Sequence, residues 1–265
     1  VKFLSLFAGI GGIDLGLERA GMTCRGQCEI DAYGRAILAR HWPDVWRWDD
    51  VRTLNGSLIR EHCGPIELIA GGFPYQDISN FGYRVGIDGA RSGLWRDFHR
   101  LIGEVRPRFA LMENVAALLE RGMGRVLGDL AEIGFDAEWR VLDARFFGVP
   151  QVRRRVFILA YPAGSRVEPI LDSDAVDVER GAAGVDATRN RPADAHDQAG
   201  QPCPLSLHPD AVRTALLDDR RSRMDGRISD WVAGYKGIGN SVVPQVAEYI
   251  GRLILAAERR IGGAA

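Results

Sequence analysis

Lysine is nearly missing from this chain of 265 residues: of 34 basic side chains only Lys2 and Lys236 are lysine, and the rest are arginine. That bias points to a GC-rich coding genome more than to a function. Cysteine is scarce too. Cys24, Cys28, Cys63 and Cys203 form no CxxC pair and have no accompanying histidine spacing, so no metal site and no disulfide framework is expected, and a reducing compartment fits. Long apolar runs are absent, none approaching the roughly 18 residues that cross a bilayer. The apolar N-terminus breaks at Gly9 into a glycine-rich turn without the charged start or cleavage site of a signal peptide, so a cytoplasmic protein with no membrane partner is expected. Charge of one sign is not in excess either. A formal net charge of -1 gives no global signature of nucleic-acid binding, although a basic face can hide inside that total.

What is present is enough for one large core and a smaller lobe, with 46% apolar and 26% charged residues. Short β-type runs at Lys2 to Leu6, Thr23 to Glu29, Ile66 to Ala70, Phe109 to Glu113 and Val156 to Tyr161 alternate with helical spacing at Gly12 to Ala20, Ala32 to His41, Trp95 to Val105 and Gly124 to Ile133. This pattern predicts an α/β fold with a doubly wound, mostly parallel sheet, whose ligand sites lie at the carboxyl ends of the strands. Composition shifts near Pro162. Residues 163 to 204 carry eight acidic against four basic side chains with little apolar periodicity, the mark of a long loop or insert. Val242 to Arg259 is again amphipathic and ends in basic residues suited to a helix C-terminus. The expected division is 1–161, an α/β domain; 162–233, a small region with an insert; and 234–265, a segment returning to the large domain.

Leu4 to Gly12 reads as a strand entering a glycine-rich turn that opens a helix, where small residues let a ligand approach the backbone. A tight β-α connection without a ligand has the same look. Glu29 stands where nucleotide-binding sheets place an acid on ribose hydroxyls, and Asp50 closes Trp48-Asp49-Asp50. Phe7-Ala8-Gly9-Ile10-Gly11-Gly12 lacks the dinucleotide fingerprint GxGxxG. An adenosine-containing ligand held without a phosphate cradle fits better, and S-adenosylmethionine is the obvious one.

Five segments, Phe7 to Gly12, the loop around Pro74-Tyr75-Gln76, Glu113-Asn114-Val115, Gln151-Val152-Arg153-Arg154-Arg155 and Gly239-Asn240-Ser241-Val242, follow one another in an order and spacing that resembles the motifs of the cytosine-C5 DNA methyltransferases. The resemblance covers residues 3–161 and 234–256. It implies the class I S-adenosylmethionine-dependent methyltransferase fold, with 162–233 as the target-recognition region, and double-stranded DNA as substrate. A restriction partner, a bacterial or phage source and a monomeric state go with it. By the same resemblance Phe7 packs on the adenine, Glu29 holds the ribose and Asp50 the adenine amine. Ala8, Gly9, Ile10, Gly11, Gly12, Ile30, Val51, Pro74, Leu94, Asn240, Ser241 and Val242 complete the cofactor set. Glu113 meets N3 and the amine of a flipped cytosine, Arg153 and Arg155 organise the pocket, and Arg155 reaches the base O2. A carboxyl group facing N3 makes chemical sense by itself, because it can donate a proton as charge builds on the ring. Plainer roles exist: Asn114 as the cap of a following helix, Arg153 to Arg155 as a solvated basic cluster.

DNA contacts are expected from Gln76, Ser79, Arg84 and Arg91 in a glycine-containing loop, from Gln151, and from Arg220, Arg221 and Arg223 in a basic segment interleaved with Asp218, Asp219 and Asp225. A solvated helix face reads equally well there. The region 162–233 is short for the family, and the family's usual arginine-to-glutamate motif is not recognisable in it.

Tyr75 stands where the resemblance places the nucleophilic cysteine. The family reaction starts with a thiolate adding to C6, which makes C5 able to take the methyl group. A phenol with a reference pKa near 10 is ionised in about one molecule in a thousand at neutral pH, and its oxygen is a poorer conjugate nucleophile than sulfur. Little or no C5 methylation is expected. The alternatives are a substitution in an otherwise ordinary enzyme, a non-catalytic DNA- or cofactor-binding protein, or transfer to an exocyclic amine. Phe73-Pro74-Tyr75 resembles the Pro-Pro-Tyr loop of amino-methyltransferases, although the polar first position of that loop is Gly72 here.

Overall fold

The computed structural model describes residues 1–74, 93–149, 152–165, 169–171 and 241–262. Among these described residues seven strands form one sheet: β1 (Lys2–Leu6), β2 (Thr23–Cys28), β3 (Trp46–Trp48), β4 (Leu68–Gly72), β5 (Phe109–Val115), β6 (Phe135–Asp143) and β7 (Arg154–Pro162), in the order β3-β2-β1-β4-β5-β7-β6. The first five run parallel. β7 is antiparallel to β5, and β6 to β7. The expected mostly parallel, doubly wound sheet is therefore present, with one antiparallel hairpin at an edge.

The parallel strands read as apolar runs because both faces are covered. Alternate residues feed two cores on opposite sides. Leu4, Leu6, Ala110, Met112, Val156 and Ile158 join the cluster that contains Phe98 and Leu101 of α4 (Leu94–Val105). Phe3, Phe109, Leu111, Phe157 and Leu159 join the other, which holds Leu17 of α1 (Gly12–Arg19) and Ile250, Leu253 and Ile254 of the C-terminal helix. Between them in sequence lie α2 (Ala32–His41), capped by Asp31, and α3 (Gly56–Cys63), capped by Asn55, whose side chain accepts from the N–H groups of Ser57 and Leu58. Two helices, α5 (Leu118–Arg121) and α6 (Met123–Glu132), precede β6, and the C-terminal helix is α7 (Pro244–Gly262).

Chain order reverses between β1 and β4, so a crevice opens at the carboxyl ends of these two neighbours, where open α/β sheets take ligands. α7 closes on α1 through glycine. A Cβ at Gly16 would lie 2.4 Å from the Pro244 carbonyl oxygen, and one at Gly251 would lie 2.8 Å from Ala20 Cβ. Among the described residues five elements were not expected from sequence: β3, α3, α5, β6 and a 3-10 turn, Ala144–Phe147. Among the described residues no helix is long and apolar enough to cross a membrane, and no cluster of three or more His, Cys, Asp or Glu could hold a metal ion.

Candidate active site

The glycine-rich turn after β1 is a left-handed path: Phe7 has φ 54°, Gly9 φ 58° and Gly11 φ 87°. Its glycines serve different needs. A Cβ at Gly11 would lie 2.5 Å from the Trp42 ring, and one at Gly12 would lie 2.2 Å from the Val242 carbonyl oxygen and 2.3 Å from Ser241 Oγ, whereas Gly9 faces open space. Gly12 therefore brings Ser241 and Val242, remote in sequence, onto the turn. Ala8 is buried, Ile10 half-buried, and the Phe7 ring stacks near Phe98 with centroids 6.2 Å apart.

Glu29 follows β2 directly and holds this turn in shape. Its Oε2 accepts the Gly9 N–H at 2.7 Å and its Oε1 the Asp31 N–H at 2.8 Å. A carboxylate offers about four acceptor positions, so capacity remains on the solvent side for ligand hydroxyls. Ile30, next to it, is 63% exposed. An apolar side chain standing in water beside an acid is what the ring and ribose of an adenosine would cover. Val51 is buried in the core. Asp50 is already engaged: Arg52 donates to its Oδ1 and Oδ2 through Nε and Nη2, and this hydrogen bonding holds the carboxyl below the usual range. An adenine amine at Asp50 would have to share it with Arg52.

The second half of the site is built across three adjacent strands. Gly72 ends β4 opposite Glu113 of β5, and Arg155 of β7 pairs with Val115. Glu113 is 8% exposed, and its Oε1 lies 3.0 Å from Arg155 Nε, an ion pair whose geometry falls short of an aligned hydrogen bond. Burial pushes this carboxyl up to about 7, against the lowering influence of Arg155 and then Arg153. Near neutral pH it can hold or release a proton. A Cβ at Gly72 would lie 2.6 Å from Glu113 Oε2, so the carboxyl occupies the space a side chain there would take.

Asn114 is not a helix cap. Its Oδ1 accepts from the Val115 N–H and its Nδ2 donates to the Phe73 carbonyl at 3.3 Å, while α5 starts only at Leu118, after Ala117. It ties the end of β5 to the segment that runs into Pro74. Arg153 is buried, and its Nη2 donates to the Ser241 carbonyl at 2.7 Å, so it joins the β7 entrance to the C-terminal segment. Pro74 and Leu94 flank the loop on its two described sides and are half-buried. Tyr75, Gln76, Ser79, Arg84, Arg91, Gln151, Arg220, Arg221, Arg223 and Asn240 lie outside the described residues. Sequence reading did not anticipate Arg52 beside Asp50, although a basic residue two places on was the available signal. It had no signal for the Arg153 to Ser241 link across 88 residues.

Strand order and the antiparallel last strand define an S-adenosylmethionine-dependent methyltransferase fold. A solved prophage-encoded E. coli chain described as a DNA modification methyltransferase superposes with a TM-score of 0.68 over 98% of this chain and 99% of that one, at 20% identity, which establishes the fold. A DNMT2 structure from Spodoptera frugiperda gives 0.54 over 63% of this chain and 52% of that one, at 18% identity. The profile of the C-5 cytosine-specific DNA methylases matches residues 1–193, and the chain belongs to that family. Type II methyltransferase M2.BsuMI of Bacillus subtilis (strain 168) is 41% identical over 168 residues, 60% of this chain and 42% of that protein. M.Eco47II of Escherichia coli is 37% identical over 166 residues, 59% of this chain and 38% of that protein. The matched stretch thus spans less than half the length of these relatives. S-adenosylmethionine is the methyl donor of the family, and the Glu29, Ile30 and glycine-turn geometry fits it.

Proposed function

We propose that this chain binds S-adenosylmethionine and double-stranded DNA with a flipped cytosine, and that Tyr75 leaves it unable to methylate C5 at an ordinary rate. The observation carrying this reading is Glu113: buried, ion-paired to Arg155 and pushed up to about 7. A buried carboxyl beside a guanidinium offers one group that donates to a ring nitrogen and another that donates to a carbonyl oxygen, the complement of one edge of cytosine. Bound S-adenosylmethionine would supply a methyl group on a sulfonium. Phe7, Glu29 and Ile30 would orient it, Asp50 would share the adenine amine with Arg52, and Ser241 and Val242 would close the turn.

Within this pocket Glu113 exchanges a proton at N3, Arg155 holds the base edge and keeps the carboxyl turned inward, and Arg153 fixes the C-terminal segment at its border. What the residues do not supply at position 75 is a thiolate. Transfer to an exocyclic amine is the less favoured reading, since such a loop carries a polar side chain at its first position and Gly72 has none. Equilibrium titration tests the binding half of the proposal. Saturable binding of S-adenosylmethionine and of duplex DNA is expected. No cofactor binding would remove every transferase reading, and cofactor binding without DNA binding would leave a cofactor-binding relic.

A further inference from the structure

A fully buried polar frame lies beneath the glycine-rich turn, and no role assigned above draws on it. Asp14, in the first turn of α1, Ser5 of β1 and Gln27 of β2 are each 0% exposed. The Asp14 carboxylate accepts the Ser5 hydroxyl on Oδ2 and the Gln27 amide on Oδ1, both at 2.9 Å, with the Cys24 thiol 3.6 Å from Oδ1. Gln27 in turn accepts from Arg47 of β3 at 3.0 Å, and Arg47 also donates to the Trp42 carbonyl at 2.6 Å. The Trp42 ring is the one that Gly11 lies against.

The positions of these residues decide what the frame holds. Ser5 and Gln27 are direct partners across the β1–β2 ladder. Ser5 stands two residues before Phe7, Gln27 two before Glu29, and Asp14 two after Gly12. One carboxylate therefore ties together the three chain segments that carry the turn and its acid. Burial pushes Asp14 up to about 6, the mark of what a charge costs there, and an apolar side chain would fill the same space without that cost. What the carboxylate adds is direction, since charge-assisted hydrogen bonds orient their partners and apolar contact does not. We propose that Asp14 is a positioning residue for S-adenosylmethionine: it holds β1, β2 and α1 in the register that places the Gly9 N–H, the Glu29 carboxylate and Ile30 around the adenosine. This inference rests on the reading of the turn as the cofactor site.

The full chain is compared as wild type, Asp14→Ala, Asp14→Asn and Ser5→Ala, by calorimetric titration with S-adenosylmethionine and, without cofactor, by backbone amide exchange. Asp14→Ala is expected to bind the cofactor about tenfold more weakly, the scale of one lost hydrogen bond to a charged group. The amides of Ala8, Gly9 and Gly11, which donate to the Cys28 carbonyl, the Glu29 carboxylate and the Ala8 carbonyl, should exchange faster, while those of β4 and β5 keep wild-type protection. Ser5→Ala, which leaves the Gln27 bond in place, should show the same pattern with about threefold weaker binding. Asp14→Asn should recover most of the loss, because its amide donates to the Ser5 oxygen and its carbonyl accepts from Gln27. Wild-type affinity in both truncating variants overturns the proposal, as does faster exchange spread evenly over the sheet, which marks a merely structural role. An Asp14→Asn variant as weak as Asp14→Ala overturns it too. If Asp14→Ala does not fold, Ser5→Ala alone decides. A wild type that binds no S-adenosylmethionine overturns the cofactor reading itself, and is told apart from failure of this inference, in which wild type and variants bind alike.

Discussion

Asp50, just beyond β3, and Glu113, inside β5, both stand at the carboxyl-terminal edge of one sheet, and their surroundings push them in opposite directions. Asp50 is close to solvent, hydrogen-bonded by Arg52, and held below the usual carboxylate range. Glu113 also faces an arginine, yet burial outweighs that neighbour and carries it up to about 7. An adjacent guanidinium therefore does not decide a carboxyl's charge; the water it retains does. One end of the crevice is equipped to accept hydrogen bonds with a permanent anion. The other can pass a proton.

The sharpest way to break this contrast is Glu113→Gln in a Tyr75→Cys background, where methyl transfer should fall by roughly 10²–10⁴, the range for losing a general acid. Single-turnover rates with labelled cofactor measure it, and a rate within a few fold of the Tyr75→Cys parent would remove Glu113 from the chemistry. Stability against pH should show the same contrast without any reaction. Folded Glu113 keeps its proton up to about pH 7, while the unfolded chain releases it near 4.5, so its contribution is fully present below 4.5 and is lost as pH rises through 7. That loss amounts to about 3 kcal/mol at most. Asp14, buried between Ser5, Gln27 and Cys24 and pushed up to about 6 mainly by burial, slopes the same way from 3.8 upward. Asp50 runs opposite, its contribution present above the unfolded value and lost as pH falls. Denaturant titration between pH 4.5 and 8 should therefore show falling stability, flatter in Glu113→Gln and unchanged in slope in Asp50→Asn.

Smaller effects separate the two acids at the cofactor end. Glu29→Ala removes the acceptor of the Gly9 and Asp31 N–H groups as well as the expected ribose contact, and should weaken S-adenosylmethionine binding by about 10- to 100-fold, or ~1.5–3 kcal/mol. Asp50→Asn should cost only about threefold, since Arg52 already engages both oxygens and exposed pairs contribute little. Calorimetric titration of both variants measures the difference. An equal loss would mean that the Asp50 and Arg52 pair opens on binding.

Much of this site was legible because its residues sit in short segments tied to strand ends: the turn after β1, Glu29 after β2, Glu113 in β5 and Arg155 in β7. The parallel strands were legible as apolar runs. β6 was not, although Phe135 to Arg140 alternates apolar and polar residues, because a hairpin strand at the sheet edge lacks the continuous run of a strand covered on both faces. β3 is only three residues long, too short for any period. α3 carried its signal in Asn55, the cap, more than in its apolar spacing. Contacts that link distant segments left no trace in local pattern. Arg153 with Ser241, Gly12 with Val242 and Glu138 with Ile170 depend on the chain returning to the sheet, and Gly72 reveals its purpose only once Glu113 lies against it.

Nucleoside analysis of DNA incubated with labelled S-adenosylmethionine, run in parallel for the chain with Tyr75 and for Tyr75→Cys, tests the central claim most directly. Expected is no 5-methylcytosine above background from the chain with Tyr75 and clear 5-methylcytosine from Tyr75→Cys. Comparable 5-methylcytosine from the chain with Tyr75 would contradict the claim, as would a Tyr75→Cys variant that binds both cofactor and DNA yet stays silent.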